Sequence, residues 1–95
     1  MADKTQVSVL RNGDDAWNQS RTKNPDAQPD FEKADFEDAN LVGTNLSGSI
    51  LRRTRFVRAD LNNARLSEAN GEFGDFRWAD LRKADLTHIF PYLRS

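Results

Sequence analysis

The chain has 95 residues, with 14 basic against 15 acidic side chains and a formal net charge of −1. That length allows one small domain. The near-neutral balance argues against a strong electrostatic pull toward nucleic acid or an anionic membrane, and against a heavily acidic DNA mimic. The absence of cysteine excludes disulfides, thiolate metal sites and thiol nucleophiles.

Residues 1–30 form a polar leader with two apolar patches, Val7-Val9-Leu10 and Trp17. Met1 to Leu10 lacks the charged, then apolar, then small pattern of a secretory signal, and no apolar run approaches a membrane span. A cytoplasmic protein without membrane contact is therefore expected. Gly13 reads as the stop of a short first helix or turn, and Asp14 as the N-cap of a second helix from about Asp15 to Lys23. Arg21 and Lys23 then fall at its C-terminal end, where the helix dipole favours cations. Asn24-Pro25-Asp26 ends it, because the residue before proline avoids the helical region, and Pro29 carries the chain, extended, into Phe31.

Residues 31–87 keep a five-residue beat. A large apolar side chain recurs at Phe31, Phe36, Leu41, Leu46, Leu51, Phe56, Leu61, Leu66, Phe76, Leu81 and Leu86, and only Gly71 misses. Two positions before most of these stands a small residue, as at Ala34, Thr44, Ser49, Ala59 and Gly74. Five matches neither the helical period of about 3.6 nor the strand period of about two, so the beat specifies an architecture of its own.

The units Ala34-Asp35-Phe36, Ala39-Asn40-Leu41, Ala59-Asp60-Leu61, Ala79-Asp80-Leu81 and Ala84-Asp85-Leu86 resemble those of the pentapeptide-repeat family. The leader's Ala16-Trp17-Asn18, Arg21, Asn24-Pro25 and Pro29-Asp30-Phe31 resemble the segment that often precedes such repeats. The resemblance implies an all-β fold, a right-handed quadrilateral β-helix (a pentapeptide-repeat solenoid) of about three coils with an N-terminal helical cap. The central Leu or Phe and the small residue point inward, and the other three positions of each unit point out. The eleven large residues are then the structural core, and Trp17 is the capping residue laid over the first coil, since solenoids need covered ends.

A coil of twenty residues stacks Phe36, Phe56 and Phe76 in one column and Leu41, Leu61 and Leu81 in the next. On the outside it lines up Glu32, Arg52 and Glu72; Asp35, Arg55 and Asp75; and Asp38, Arg58 and Trp78. At the inter-strand spacing of about 4.8 Å such opposite charges attract modestly and help to set the register. Trp78 beside Arg58 offers a cation–π contact.

Three departures bear on function. Gly71 leaves a gap in its column, which Phe73 is expected to fill in part. Phe73 and Trp78 fall on outward positions, and residues 88–95, read as a C-terminal cap or tail, crowd Ile89, Phe90, Tyr92 and Leu93 around Pro91; the expectation is either local packing or a sticky end that pairs two copies. The resemblance implies the same, since family members often dimerise end to end. His88, the single histidine, has neither a nucleophile partner nor a second histidine for a metal. Asp35, Asp60, Asp75, Asp80 and Asp85 stand directly before central residues, a slot that Asn40, Asn45 and Asn70 share, and such an Asp/Asn mixture suits backbone hydrogen bonding in turns rather than acid–base catalysis.

These readings converge on a non-enzymatic scaffold or protein-interaction module, with no catalytic, cofactor or metal site. Its partner is expected to be protein, and its candidate patch comprises Arg52, Arg53, Arg58, Phe73, Trp78, Phe90 and Tyr92. The alternative implied by the resemblance is a DNA mimic acting on a bacterial type II topoisomerase, which short length and near-neutral charge disfavour. Nucleic-acid binding through the arginines is disfavoured because acids flank them.

Overall fold

The structure, a computed structural model, describes residues 4–11 and 14–91, with the side chain of Asp14 left out. Helix α1 spans Lys4–Arg11 and helix α2 spans Asp14–Lys23. The second begins one residue earlier than expected, while the stop at Gly13 and the capping side chain of Asp14 lie outside what is described. Arg21 and Lys23 sit in the last turn of α2, and the backbone N–H of Asn24 donates to the Ser20 carbonyl as the helix closes before Pro25.

From Asp30 onward the backbone winds so that residues twenty apart pair as parallel β-bridges: Asp30 with Ile50, Asp35 with Arg55, and so on to Asn70 with Phe90. Three windings of twenty residues follow from this register, 30–49, 50–69 and 70–89. Among the described residues no bridge extends into a longer strand. The physical reason is that each five-residue side contains a β-turn, which interrupts the extended backbone after a single bridging residue. The ladder is regular nonetheless: Phe31 N–H donates to the Ile50 carbonyl at 2.8 Å, Lys33 N–H to Arg52 at 3.0 Å, and Arg55 N–H to Ala34 at 2.9 Å.

Each turn is closed by the small residue, whose N–H donates to the carbonyl of the preceding central residue, as Ala39 does to Phe36 at 3.1 Å. The residue two places after the central one has a positive φ, from Lys33 at 65° to His88 at 56°. That is the signature of a type II turn, whose third position favours glycine or asparagine. Gly43 and Gly48 meet the requirement without strain, but Arg53, Arg58, Phe73 and Trp78 do so with full side chains. Where the residue before a central position is Asp or Asn, it locks the turn from the side; Ile50, Arg55 and Arg65 stand in that slot without such a lock. The Oδ1 atoms of Asp35, Asn40, Asp60, Asp75, Asp80 and Asp85, among others, each accept the backbone N–H two residues on, at 3.0 to 3.2 Å. Asp and Asn serve equally because only that oxygen is used.

The shaft is filled as the beat demands in the first two windings: Phe31, Phe36, Leu41, Leu46, Leu51, Phe56, Leu61 and Leu66 are at most 1% exposed. Phe36, Phe56 and Phe76 stack with ring centroids 5.7 and 4.9 Å apart and planes tilted by 18° and 14°. Such ring pairs add about 0.5–1.5 kcal/mol each beyond area burial. Buried threonines in the small-residue slot bond inward, Thr44 to the Leu41 carbonyl at 2.8 Å and Thr54 to Phe31 at 2.7 Å.

Three expectations are corrected. Phe73 does not fill the gap at Gly71: it points out and is 66% exposed. The space is taken by Ile89, which occupies a slot otherwise reserved for small residues; its Cδ1 lies 3.9 Å, and the Phe76 ring 3.8 Å, from where a Gly71 Cβ would stand. Secondly, Val57, on an outward position, is buried to 3% exposure. Thirdly, the last winding is less enclosed than the others, so that Phe76, Leu81 and Leu86 are only half-buried. No layer of described residues lies beyond them, and among the described residues the N–H groups of Leu81 and Leu86 find no carbonyl.

Candidate functional site

The two ends of the winding differ in how their open backbone edges are met. At the first winding, side chains of the two helices do the work of a missing β-layer. The Trp17 indole donates to the Asn45 carbonyl at 2.7 Å, and Trp17 is 1% exposed. Asn18 bonds twice, its Nδ2 donating to the Gly43 carbonyl at 3.0 Å and its Oδ1 accepting Asn45 N–H at 2.9 Å. Arg21 donates to the Ser47 carbonyl at 2.5 Å, and Arg11 to the Asp35 carbonyl. The Trp17 ring also meets Phe31, centroids 5.3 Å apart.

The arginines of the middle winding are largely engaged with acids of the same chain. Arg52 bridges Glu32 at 3.2 Å and Glu72 at 3.0 Å, one winding below and one above. Arg55 pairs with Asp35 at 3.1 Å and Glu37 at 3.0 Å. Arg58 pairs with Asp38 at 2.9 Å and Glu37 at 2.5 Å. The Asp38 bond holds the guanidinium charged beyond its ordinary range and keeps the Asp38 carboxyl below its own. Asp75 does not complete the Arg55 column, because Arg77, two residues away, reaches it at 2.8 Å. The pairs are solvent-exposed and solvent screening leaves them little net stability; their larger effect is to occupy the cations.

The predicted patch therefore divides. Arg52 and Arg58 are spent on intramolecular ion pairs. Arg53 stands over the Phe73 ring, 5.2 Å from its centroid, and Arg52 touches the same ring at 5.7 Å. Trp78 is met by Arg77 at 5.7 Å and not by Arg58, which is turned toward Asp38 and Glu37. Phe73, Trp78 and Phe90 are 66%, 74% and 56% exposed, and Tyr92 lies outside the described residues. Sequence reasoning missed Asn18, Arg11 and Arg21 as edge-binding groups. The signal available was a polar, arginine-bearing helix directly before an uncovered ladder.

Among the described residues no group of His, Cys, Asp and Glu could hold a metal ion, and no helix is long and apolar enough to cross a membrane.

Stacked twenty-residue windings with a Leu/Phe shaft and Asp/Asn-locked turns define a solenoid of five-residue units. A family model of pentapeptide repeats, eight copies long, matches residues 30–67 and 49–87. The chain belongs to the pentapeptide-repeat family, whose units wind into a right-handed β-helix. A crystal structure of a pentapeptide repeat protein from the thylakoid lumen of Arabidopsis thaliana matches at 33% identity over 63% of this chain and 48% of that one, with a TM-score of 0.36. The chain thus spans about half the length of that protein. No curated protein matches.

Proposed function

We propose that the chain is a short, three-coil quadrilateral β-helix, closed at its N-terminal end by a helical cap, that acts as a non-enzymatic protein-interaction module. The observation that carries this reading is the placement of Phe73 and Trp78. Both are large, exposed aromatic side chains, and both sit at left-handed turn positions that disfavour bulky residues. Neither fills the core. Aromatic residues held outward on a rigid frame are the side chains that most often anchor protein contacts. The ion-paired arginines around them supply a polar rim rather than a steering charge.

The surface comprises Arg53, Phe73 and Trp78, with the half-buried Phe76, Leu81 and Leu86 at the adjoining end. A second copy of the chain is one partner that such an end fits. The test is a pull-down with the Phe73→Ala/Trp78→Ala double variant, alongside sedimentation of the purified chain. Loss of partner or of self-association, with an unchanged circular dichroism spectrum, supports the reading. Undiminished capture and an unaltered sedimentation profile in the double variant overturn it.

A further inference from the structure

A second feature lies on the other side of the molecule, where α2 runs out over the repeat. Arg21 is 8% exposed, yet among the described residues no carboxylate comes within ion-pair reach of it. Its guanidinium donates to the carbonyl oxygens of Ala27 at 3.0 Å and Ser47 at 2.5 Å. Its Nε is sealed from solvent and finds no acceptor. The neighbouring charge that it feels has the same sign: Arg65, stacked on Asn45 through a parallel bridge, depresses the Arg21 pKa further after burial has already lowered it. Arg65 itself forms no ion pair among the described residues; Asp85, one winding on, senses its charge at longer range.

A buried cation is unfavourable unless an opposite charge meets it. Here both cations line one cleft of about 400 Å³, together with Thr22, Pro25, Asn45 and Ser47. That lining includes no carboxylate. The Oδ1 of Asn45 is taken by Ser47, leaving its Nδ2 as a donor without a partner among the described residues. Asp26 and Glu68 line an adjoining cleft that shares Arg21, Pro25 and Ser47 with this one.

We propose that this cleft binds a phosphate group, as the free ion or as a monoester, between Arg21 and Arg65, with Asn45 as a third donor. Two guanidinium groups match the roughly −1.5 to −2 charge of a phosphate monoester at pH 7, and the planar fork of arginine suits its oxygens. Bound there, the anion supplies the opposite charge that Arg21 otherwise lacks.

The test is a titration of the full chain with sodium phosphate at constant ionic strength, followed by NMR at the Arg21 Nε–H and at the Asn45 and Ser47 amides. Saturable shifts are expected, with the thermal midpoint rising by roughly 4–8 °C at about five times the Kd for phosphate. Arg65→Gln changes an exposed side chain, so the fold should persist; its affinity for phosphate should fall at least tenfold. Lys33→Gln, on another face, should bind as the parent does. O-phosphoserine as a parallel titrant separates the sources: tighter binding than inorganic phosphate assigns a monoester, and equal binding assigns the free ion. Shifts that never saturate, or that weaken equally in Arg65→Gln and Lys33→Gln, overturn the proposal.

Discussion

The indole N–H of Trp17 donates to the Asn45 carbonyl at 2.7 Å, so one side chain from α2 satisfies the backbone edge of the first winding while its ring covers Phe31. The two roles separate by substitution. Trp17→Phe keeps most of the ring and leaves a carbonyl short of its donor, and should cost about 1–2 kcal/mol. Trp17→Ala should cost about 3–5 kcal/mol. Urea unfolding reads both. If Trp17→Phe is as stable as the parent, the hydrogen bond contributes nothing.

The phenylalanine column should respond unequally along its length. Phe56 is fully buried between two rings, whereas Phe76 is half-buried and stacked on one side. Phe56→Ala is expected to cost about 3–5 kcal/mol, and Phe76→Ala distinctly less. Equal losses in chemical denaturation would mean that the last winding is as enclosed as the middle one.

Gly71 stands in a central slot and Gly74 in a small-residue slot, and the space around them differs in the opposite sense. A Cβ at Gly71 meets its neighbours at 3.5 Å or more, while one at Gly74 would stand 2.9 Å from the Phe76 ring and 3.0 Å from the Gly71 carbonyl. Gly71→Ala should be neutral or stabilising by about 0.4–1 kcal/mol, through the unfolded chain. Gly74→Ala should cost about 1–3 kcal/mol by overpacking. Thermal melts of the two variants moving together would contradict this.

Trp78 tests the separation of function from stability. Its φ of 60° is unfavourable for a bulky residue, and its ring is exposed. Trp78→Gly should leave stability unchanged or raise it by about 1 kcal/mol, since the left-handed region is strained for residues with a Cβ. A drop of similar size would show that the ring packs on its own fold.

Acid should loosen the turns over a defined range. The Arg82 side chain, bonding to Asp80, holds that carboxyl at about 2 against an ordinary 3.8. Arg77 lowers Asp75 and Arg58 lowers Asp38 in the same way, while the Thr87 hydroxyl lowers Asp85. Each folded-state value lies below the unfolded one, so this stabilisation is complete above the ordinary 3.8 and is lost as pH falls toward 2. Melting midpoints should hold steady down to about pH 4 and then fall, with a smaller fall in Asp80→Asn. A flat profile to pH 2 would show that these bonds are absent in solution.

Much of this arrangement is legible in the residues alone, for a local reason. A five-residue beat places each side chain inside or outside without reference to distant contacts, and like residues recurring at twenty reveal the register. Phe36, Phe56 and Phe76 could be stacked on paper because their spacing leaves one geometry for them. The Asp and Asn that precede most central residues were readable as turn locks, since each acts on a backbone group two positions away.

Partner choice was not legible, because it depends on distances that the beat does not encode. Arg58 had Trp78 above and Asp38 below in the same column, and it turned to Asp38 and to Glu37 of the neighbouring column, where two carboxylates meet one guanidinium. Asp75 turned to Arg77, two residues along, rather than across to Arg55. Ile89 moved into the space left by Gly71, and Phe73 stayed outside. Repetition along the chain was enough to set the winding, its period and the residues that fill the shaft of the first two windings. How Trp17, Asn18 and Arg21 meet the first edge, and that Arg21 and Arg65 share a cleft, follow from three-dimensional packing, since those contacts join segments more than twenty residues apart whose meeting point exists only once the chain has wound.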